Sequence, residues 1–146
     1  MIKKFDRIEG RCVEKIYGQD RFGYSQSDFE DLYDLIKWAE RGGYQGSELQ
    51  FYDFYTGKVY RPIDKKKNVV YGTPVYVENF LYFLQGDYDK KEVTLYRYMP
   101  EKILETVTEF SMEEVNLYNL AIIGNPLGVT IRKEFHFRFK NKKLLF

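Results

Sequence analysis

From Thr73 to Phe110, in TPVYVENFLYFLQGDYDKKEVTLYRYMPEKILETVTEF, apolar and polar residues alternate with a period of two. That is the pattern of β-strands whose side chains point alternately to either face of a sheet. Val75, Val77 and Phe80 form one apolar line, and Leu81, Phe83, Val93, Leu95, Tyr96 and Tyr98 continue the alternation. Asn79, the polar run Gly86 to Lys91, and Met99-Pro100-Glu101-Lys102 punctuate it with residues that favour turns. The last strand is expected to place Ile103, Glu105, Val107 and Glu109 on one face, with Leu104, Thr106, Thr108 and Phe110 on the other. The stretch predicts a four-stranded antiparallel meander, half buried against a core.

Earlier in the chain the period changes. Residues 28–41 place Phe29, Leu32, Tyr33, Ile36 and Ala39 on one side at helical spacing. Ser27 and Glu30 form a Ser-x-x-Glu capping box, and Gly42-Gly43 supplies the stop. Because those glycines follow a helix instead of preceding one, they read as a terminator and not as a phosphate cradle. Arg11 to Tyr17 predicts a strand, and Gly18 to Tyr24 a loop. Residues 49–63 predict a hairpin, with Thr56-Gly57 as the turn between Leu49–Tyr55 and Lys58–Ile63. Near the end, Gly124-Asn125-Pro126 marks a turn between apolar strands, and Phe135-His136-Phe137-Arg138-Phe139-Lys140 alternates strictly.

The hairpin also takes part in an internal repeat. An offset of 44 residues lays Leu49, Phe51, Tyr52 and Phe54 over Val93, Leu95, Tyr96 and Tyr98, and Lys58 and Val59 over Lys102 and Ile103. A second overlay, at 45 to 46 residues, carries Val70, Val75, Val77, Asn79, Leu81 and Phe83 onto Val115, Leu120, Ile122, Asn125, Leu127 and Val129. The hairpin YDFYTGKVY resembles the Asp-x-x-Thr-Gly-Lys hairpin of β-propeller blades, and the resemblance covers residues 49–130. It implies blade-like repeats of about 44 residues; the Trp-Asp marks of WD repeats and the double glycines of kelch repeats are missing. A propeller closes with about four or more blades, which this chain cannot supply alone. The fold expected is mainly β, α+β at the margin: one domain over residues 1–146, an antiparallel meander of about seven or eight strands with one amphipathic helix.

Composition narrows function mainly by exclusion. The chain has 146 residues, a net charge of +1 and 31% charged residues, which gives no bulk reason to seek nucleic acid or an anionic membrane. The charge is uneven: residues 131–146 carry 6 basic side chains and 1 acidic one. The single Cys12 excludes an intrachain disulfide and a cysteine metal cluster, and suits a reducing, cytoplasmic setting. MIKKFDRIEG carries no apolar run of the kind a secretory signal or membrane anchor needs.

No catalytic, cofactor or metal residue is assigned. His136, the only histidine, shares a strand face with Arg138 and Lys140, and nothing in the local sequence identifies the acid or the nucleophile that a base would need. Asp87, Asp89 and Glu92 have calcium-like oxygens, but Lys90 and Lys91 sit among them, so they read as a charged hairpin turn. Glu105 and Glu109 read as decoration of an exposed strand face. Neither GxxxxGK[ST] nor GxGxxG occurs. The aromatic content, 14 Tyr and 12 Phe, is the most suggestive feature, because Tyr joins apolar area to a polar tip and suits protein contacts. Tyr52, Tyr55, Tyr60, Tyr71, Tyr76, Tyr82, Tyr88, Tyr96, Tyr98 and Tyr118 fall in the strand-rich part. The reading is a binding domain whose partner is another protein or a second copy of itself. The alternatives are a carbohydrate-recognising protein or hydrolase with a Tyr/carboxylate site, and a single-stranded nucleic-acid binder using the basic C-terminal strand.

Overall fold

The computed structural model describes residues 12–27, 45–113, 121–123, 128–132, 135–140 and 143–145. They form thirteen strands in three antiparallel sheets that follow one another along the chain. The first sheet holds β1 (Glu14–Lys15), β2 (Phe22–Gln26), β3 (Leu49–Asp53) and β4 (Val59–Tyr60), in that order. The second contains β5 (Val69–Tyr71), β6 (Val75–Val77), β7 (Phe80–Asp87), β8 (Glu92–Met99) and β9 (Ile103–Ser111). Its order is β5-β7-β8-β9, with β5 paired to the end of β7 and β6 to its start. The third runs β10 (Ala121–Ile123), β11 (Gly128–Arg132), β12 (Phe135–Lys140) and β13 (Lys143–Leu145).

The predicted antiparallel, mainly β architecture is present, but as three meanders instead of one of seven or eight strands. Strands of two or three residues such as β1, β4 and β5 are too short to show a period. The helix read over residues 28–41 lies outside the described residues. So do Tyr118 and the Gly124-Asn125-Pro126 turn, on either side of which β10 and β11 pair with Ile123 opposite Gly128.

Residues Phe22–Gln26 overturn the expected loop: they form a buried strand paired along its whole length with β3. Glycine, serine and glutamine dilute the apolar signal there, and the chain uses the small residue for a reason. A Cβ on Gly23 would lie 2.5 Å from the Phe54 ring and 2.8 Å from the Glu14 carbonyl oxygen. Only a residue without one lets β2 sit this close to its neighbours.

Both faces of the second sheet are covered, which corrects the half-buried expectation. On β7, Leu81 and Phe83 join one core cluster, while Tyr82 and Leu84 join the other. The first cluster sits between the first two sheets, where Phe22, Tyr24, Leu49 and Phe51 meet Val69, Tyr71, Leu81, Phe83 and Tyr98. Its centre is aromatic: Phe51 lies 5.0 Å from Tyr98 and 5.8 Å from Phe83, and Phe83 stacks on Tyr96 at 5.3 Å between ring centroids. The opposite face gathers Val70, Val77, Leu84, Val93, Leu95 and Phe110, and Ile122 of β10 packs against it. Each large apolar side chain buried this way contributes about 1.5–3 kcal/mol.

Two irregularities set the details of the second sheet. Between β5 and β6 the ladder breaks at Gly72-Thr73-Pro74, where proline's missing donor is tolerated at an edge. On β9 a bulge shifts register: Leu95 faces Thr108, but Tyr96 faces Thr106. The extra residue, Val107, flips the alternation. Val107 and Phe110, expected on opposite faces, therefore pack against the same cluster.

Candidate functional site

The β1–β2 and β3–β4 turns of the first sheet and the β6–β7 and β8–β9 turns of the second gather at one end, and the β7–β8 turn lies at the other. The turn between β1 and β2 is braced by the Gln19 side chain, which donates from Nε2 to the Ile16 and Phe22 carbonyls. Its Oε1 accepts from the Arg21 and Phe22 amides at 2.7 and 2.6 Å. This scaffold leaves Tyr17 93% exposed. The turn between β3 and β4 is built on Asp53, whose Oδ1 accepts from the Tyr55 and Thr56 amides at 2.9 and 3.3 Å. Gly57 closes it at φ 79°, a conformation favourable to glycine, and Tyr55 is left 65% exposed.

Arg21 joins the two turns. Its Nε lies 3.2 and 3.1 Å from the two Asp53 oxygens and its Nη2 2.8 Å from Oδ2, while its carbonyl accepts from the Phe54 amide at 2.7 Å. The guanidinium carbon sits 5.2 Å from the Phe22 ring centroid and 5.4 Å from that of Tyr55. Burial by itself pushes the Asp53 carboxyl up, but the Arg21 hydrogen bond, the turn amides and the Arg21 charge outweigh it, so the net shift is downward. The Arg21 guanidinium is correspondingly raised by its bond to Asp53.

The second sheet adds its own turns to this end. Gly18 lies beside Tyr76, and Tyr76 donates its hydroxyl to Asn79 Oδ1 at 3.0 Å. Glu78 and Asn79 both have positive φ, 49° and 74°, the geometry of a two-residue turn matched to strand twist. Lys58 pairs with Glu101 at 3.3 Å across to the turn between β8 and β9. Burial raises the Tyr60 hydroxyl pKa, and the neighbouring Glu101 charge raises it further.

Of the tyrosines singled out from sequence, Tyr55 lies at this end fully presented, with Tyr60 and Tyr76 partly buried beside it. Tyr71, Tyr82 and Tyr98 are core residues. Tyr52 is buried on the other face of the first sheet, where its hydroxyl meets Ser25 at 2.7 Å and Gln50 at 3.0 Å. Sequence reasoning passed over Tyr17 and Arg21. Their only local signal is a Tyr-Gly pair followed by polar residues, and the partner that fixes Arg21 lies 32 positions away.

The other singled-out residues have plainer places. Asp87 Oδ1 accepts from the Asp89 and Lys90 amides at 3.0 and 3.1 Å, its Oδ2 lies 3.4 Å from Lys66, and Asp89 accepts from Asn68. These carboxylates are used within a hairpin turn, as their alternation with lysine suggested. The bulge separates Glu105 from Glu109: Glu105 is half-buried against Arg97, whereas Glu109 is exposed opposite Thr94. An open cavity of about 360 Å³ lies at the far end of β8 and β9, lined by Lys90, Lys91, Glu92, Glu109, Phe110, Ser111 and Glu113. His136 takes its place in β12 opposite Thr130. Cys12 is exposed, and among the described residues no helix is long and apolar enough to cross a membrane. No protein-family model matches the chain, nor does any curated protein or solved structure.

Proposed function

We propose that this chain is a protein-binding module that docks its partner on the turn end through Tyr17, Tyr55 and Arg21. The observation that carries the reading is Arg21, held by a buried Asp53 against the ring of a tyrosine that itself remains exposed. Tyr and Arg dominate the energetics of protein interfaces, and side chains fixed before binding lose little entropy when a partner arrives. The unpaired Cys12 fits a reducing cytoplasmic setting.

The fold part of the proposal is that the sheets are blade-like units stacked in chain order. Supporting it, the 44-residue offset carries β3 onto β8 and β4 onto the start of β9, and the second overlay carries β6 onto β10 and β7 onto β11. β3, β4 and β7 land on strands of the same rank in the next sheet, and β6, which stands beside β7, lands on β10 beside β11.

The test is a photo-crosslinking amino acid at position 55, followed by identification of the captured protein and a binding measurement with both components purified. Substituting Tyr17→Ser and Tyr55→Ser together is expected to weaken that affinity by about a hundredfold, as loss of two interface anchors does. Capture of nothing, unchanged affinity in the double variant, or binding of a glycan in place of a protein would overturn the reading.

A further inference from the structure

Two sheet edges differ in charge. β9 is the longest strand, and among the described residues it pairs with β8 alone. Glu101, Glu105, Glu109 and Glu113 recur along it and its flanks at every fourth residue, against a single Lys102. Lys58 and Arg97 engage the first two. Glu109 and Glu113 form no ion pair among the described residues, although both line the open cavity that also holds Lys90, Lys91 and Glu92. At the end of the third sheet, β13 likewise pairs with β12 alone. It begins at Lys143, and the sequence from Arg138 to Lys143 holds four cations and no acid.

We infer that these edges recognise each other between two copies of the chain, β13 of one adding as a strand to β9 of the next. An edge strand offers backbone donors and acceptors that a second chain can complete. Pairing β9 with its own copy is disfavoured by charge: an antiparallel register centred on Val107 sets Glu105 opposite Glu109, and like charges across a ladder repel. β13, whose one charged residue is Lys143, meets no such repulsion. The bulge at Val107 divides β9 into two straight halves, and the three residues of β13 fit within one of them. The half from Thr108 to Ser111 carries Glu109 and leads to Glu113. This surface is distinct from the Tyr17/Tyr55 end, so either assignment stands without the other.

The experiment is sedimentation velocity on the full chain over a concentration series at low and high salt. Association that weakens as salt rises is expected, because exposed charge pairs are screened. Glu109→Lys sets a cation against Lys143, and Lys143→Glu sets a carboxylate against Glu109; each is expected to weaken association about tenfold. The double variant, with the charges exchanged, regains it. Circular dichroism on each variant separates lost pairing from lost folding, and Tyr17→Ser leaves this association unchanged. A wild-type chain that stays monomeric at low salt, single variants that associate like wild type, or a folded double variant that fails to recover would overturn the inference.

Discussion

Arg21 and Asp53 meet across the two exposed turns of the first sheet in a forked ion pair, 2.8 Å at its shortest, with the arginine half-exposed and the carboxylate almost wholly buried. The pair does more than join charges. Asp53 also terminates the β3–β4 turn by accepting two amides, so one side chain sets both the shape of that turn and the position of the cation beside Tyr55.

Asp53→Ala is therefore expected to destabilise the fold by about 2–3 kcal/mol, since it strands two amides and a guanidinium at once. Asp53→Asn keeps an oxygen for the turn and costs about 1–2 kcal/mol, discounted because Arg21 remains in contact with water. The pH dependence follows from the lowered carboxyl pKa. In the unfolded chain Asp53 takes up its proton near pH 3.8, at higher pH than in the folded one, so its stabilisation is complete above that value and is lost as pH falls through the folded pKa. Denaturant titrations between pH 2 and 6 check this: the wild-type curve falls more steeply below about pH 4 than that of Asp53→Asn.

Glu101 stands at φ 65° after Pro100, and the Lys102 amide donates to the Met99 carbonyl at 3.0 Å. This is the geometry of a type II turn, whose third position favours glycine. Glu101→Gly is expected to stabilise the fold by about 0.5–1 kcal/mol, because relief of the left-handed conformation exceeds the loss of an exposed ion pair with Lys58. Glu101→Ala keeps the conformation and loses the pair, so its stability falls slightly or stays level. Chemical denaturation of the two variants separates backbone strain from charge.

The bulge in β9 makes a sharper comparison. Simple alternation places Leu104 and Phe110 on one face, yet Leu104 is 40% exposed and Phe110 is buried among Val93, Leu95 and their neighbours. Phe110→Ala is expected to cost about 3–4 kcal/mol and Leu104→Ala less than about 1 kcal/mol. Equal costs would contradict the register shift.

These cases mark what periodicity can and cannot carry. The β7–β8–β9 meander was legible because its strands are eight or nine residues long and its turns use Asp, Asn and Pro, whose reasons for turning are local. The second buried face was not, since an alternation of apolar with aromatic residues looks the same whether tyrosine faces water or a second core. β2 was hidden because Gly23 is selected by the proximity of Phe54 and Glu14, a distance with no trace in the neighbouring residues. The bulge at Val107 changes facing without changing composition. At the turn end, Tyr55 read as the last residue of a strand, whereas the strand stops at Asp53 and Tyr55 lies in the turn, and the role of Arg21 depended on a carboxylate from a separate hairpin.

The aromatic core between the first two sheets gives an alkaline test of the same packing. Burial pushes the Tyr71 hydroxyl up to about 12, only partly relieved by its bond from Gln85, and burial raises Tyr98 as well. In the unfolded chain both ionise near pH 10, so above that value the unfolded state gains stability that the folded state cannot match. Stability is therefore expected to be level up to about pH 9 and to fall as pH rises from 10 towards 12, with Tyr71 alone accounting for about 2–3 kcal/mol. Ultraviolet titration reads the same event directly. The Tyr71 and Tyr98 transitions arrive together with loss of the β-sheet circular-dichroism signal. Tyr71→Phe removes one buried hydroxyl and shifts the alkaline midpoint upward; a midpoint unmoved by that change would show that the packing of Tyr71 between the sheets has been misread.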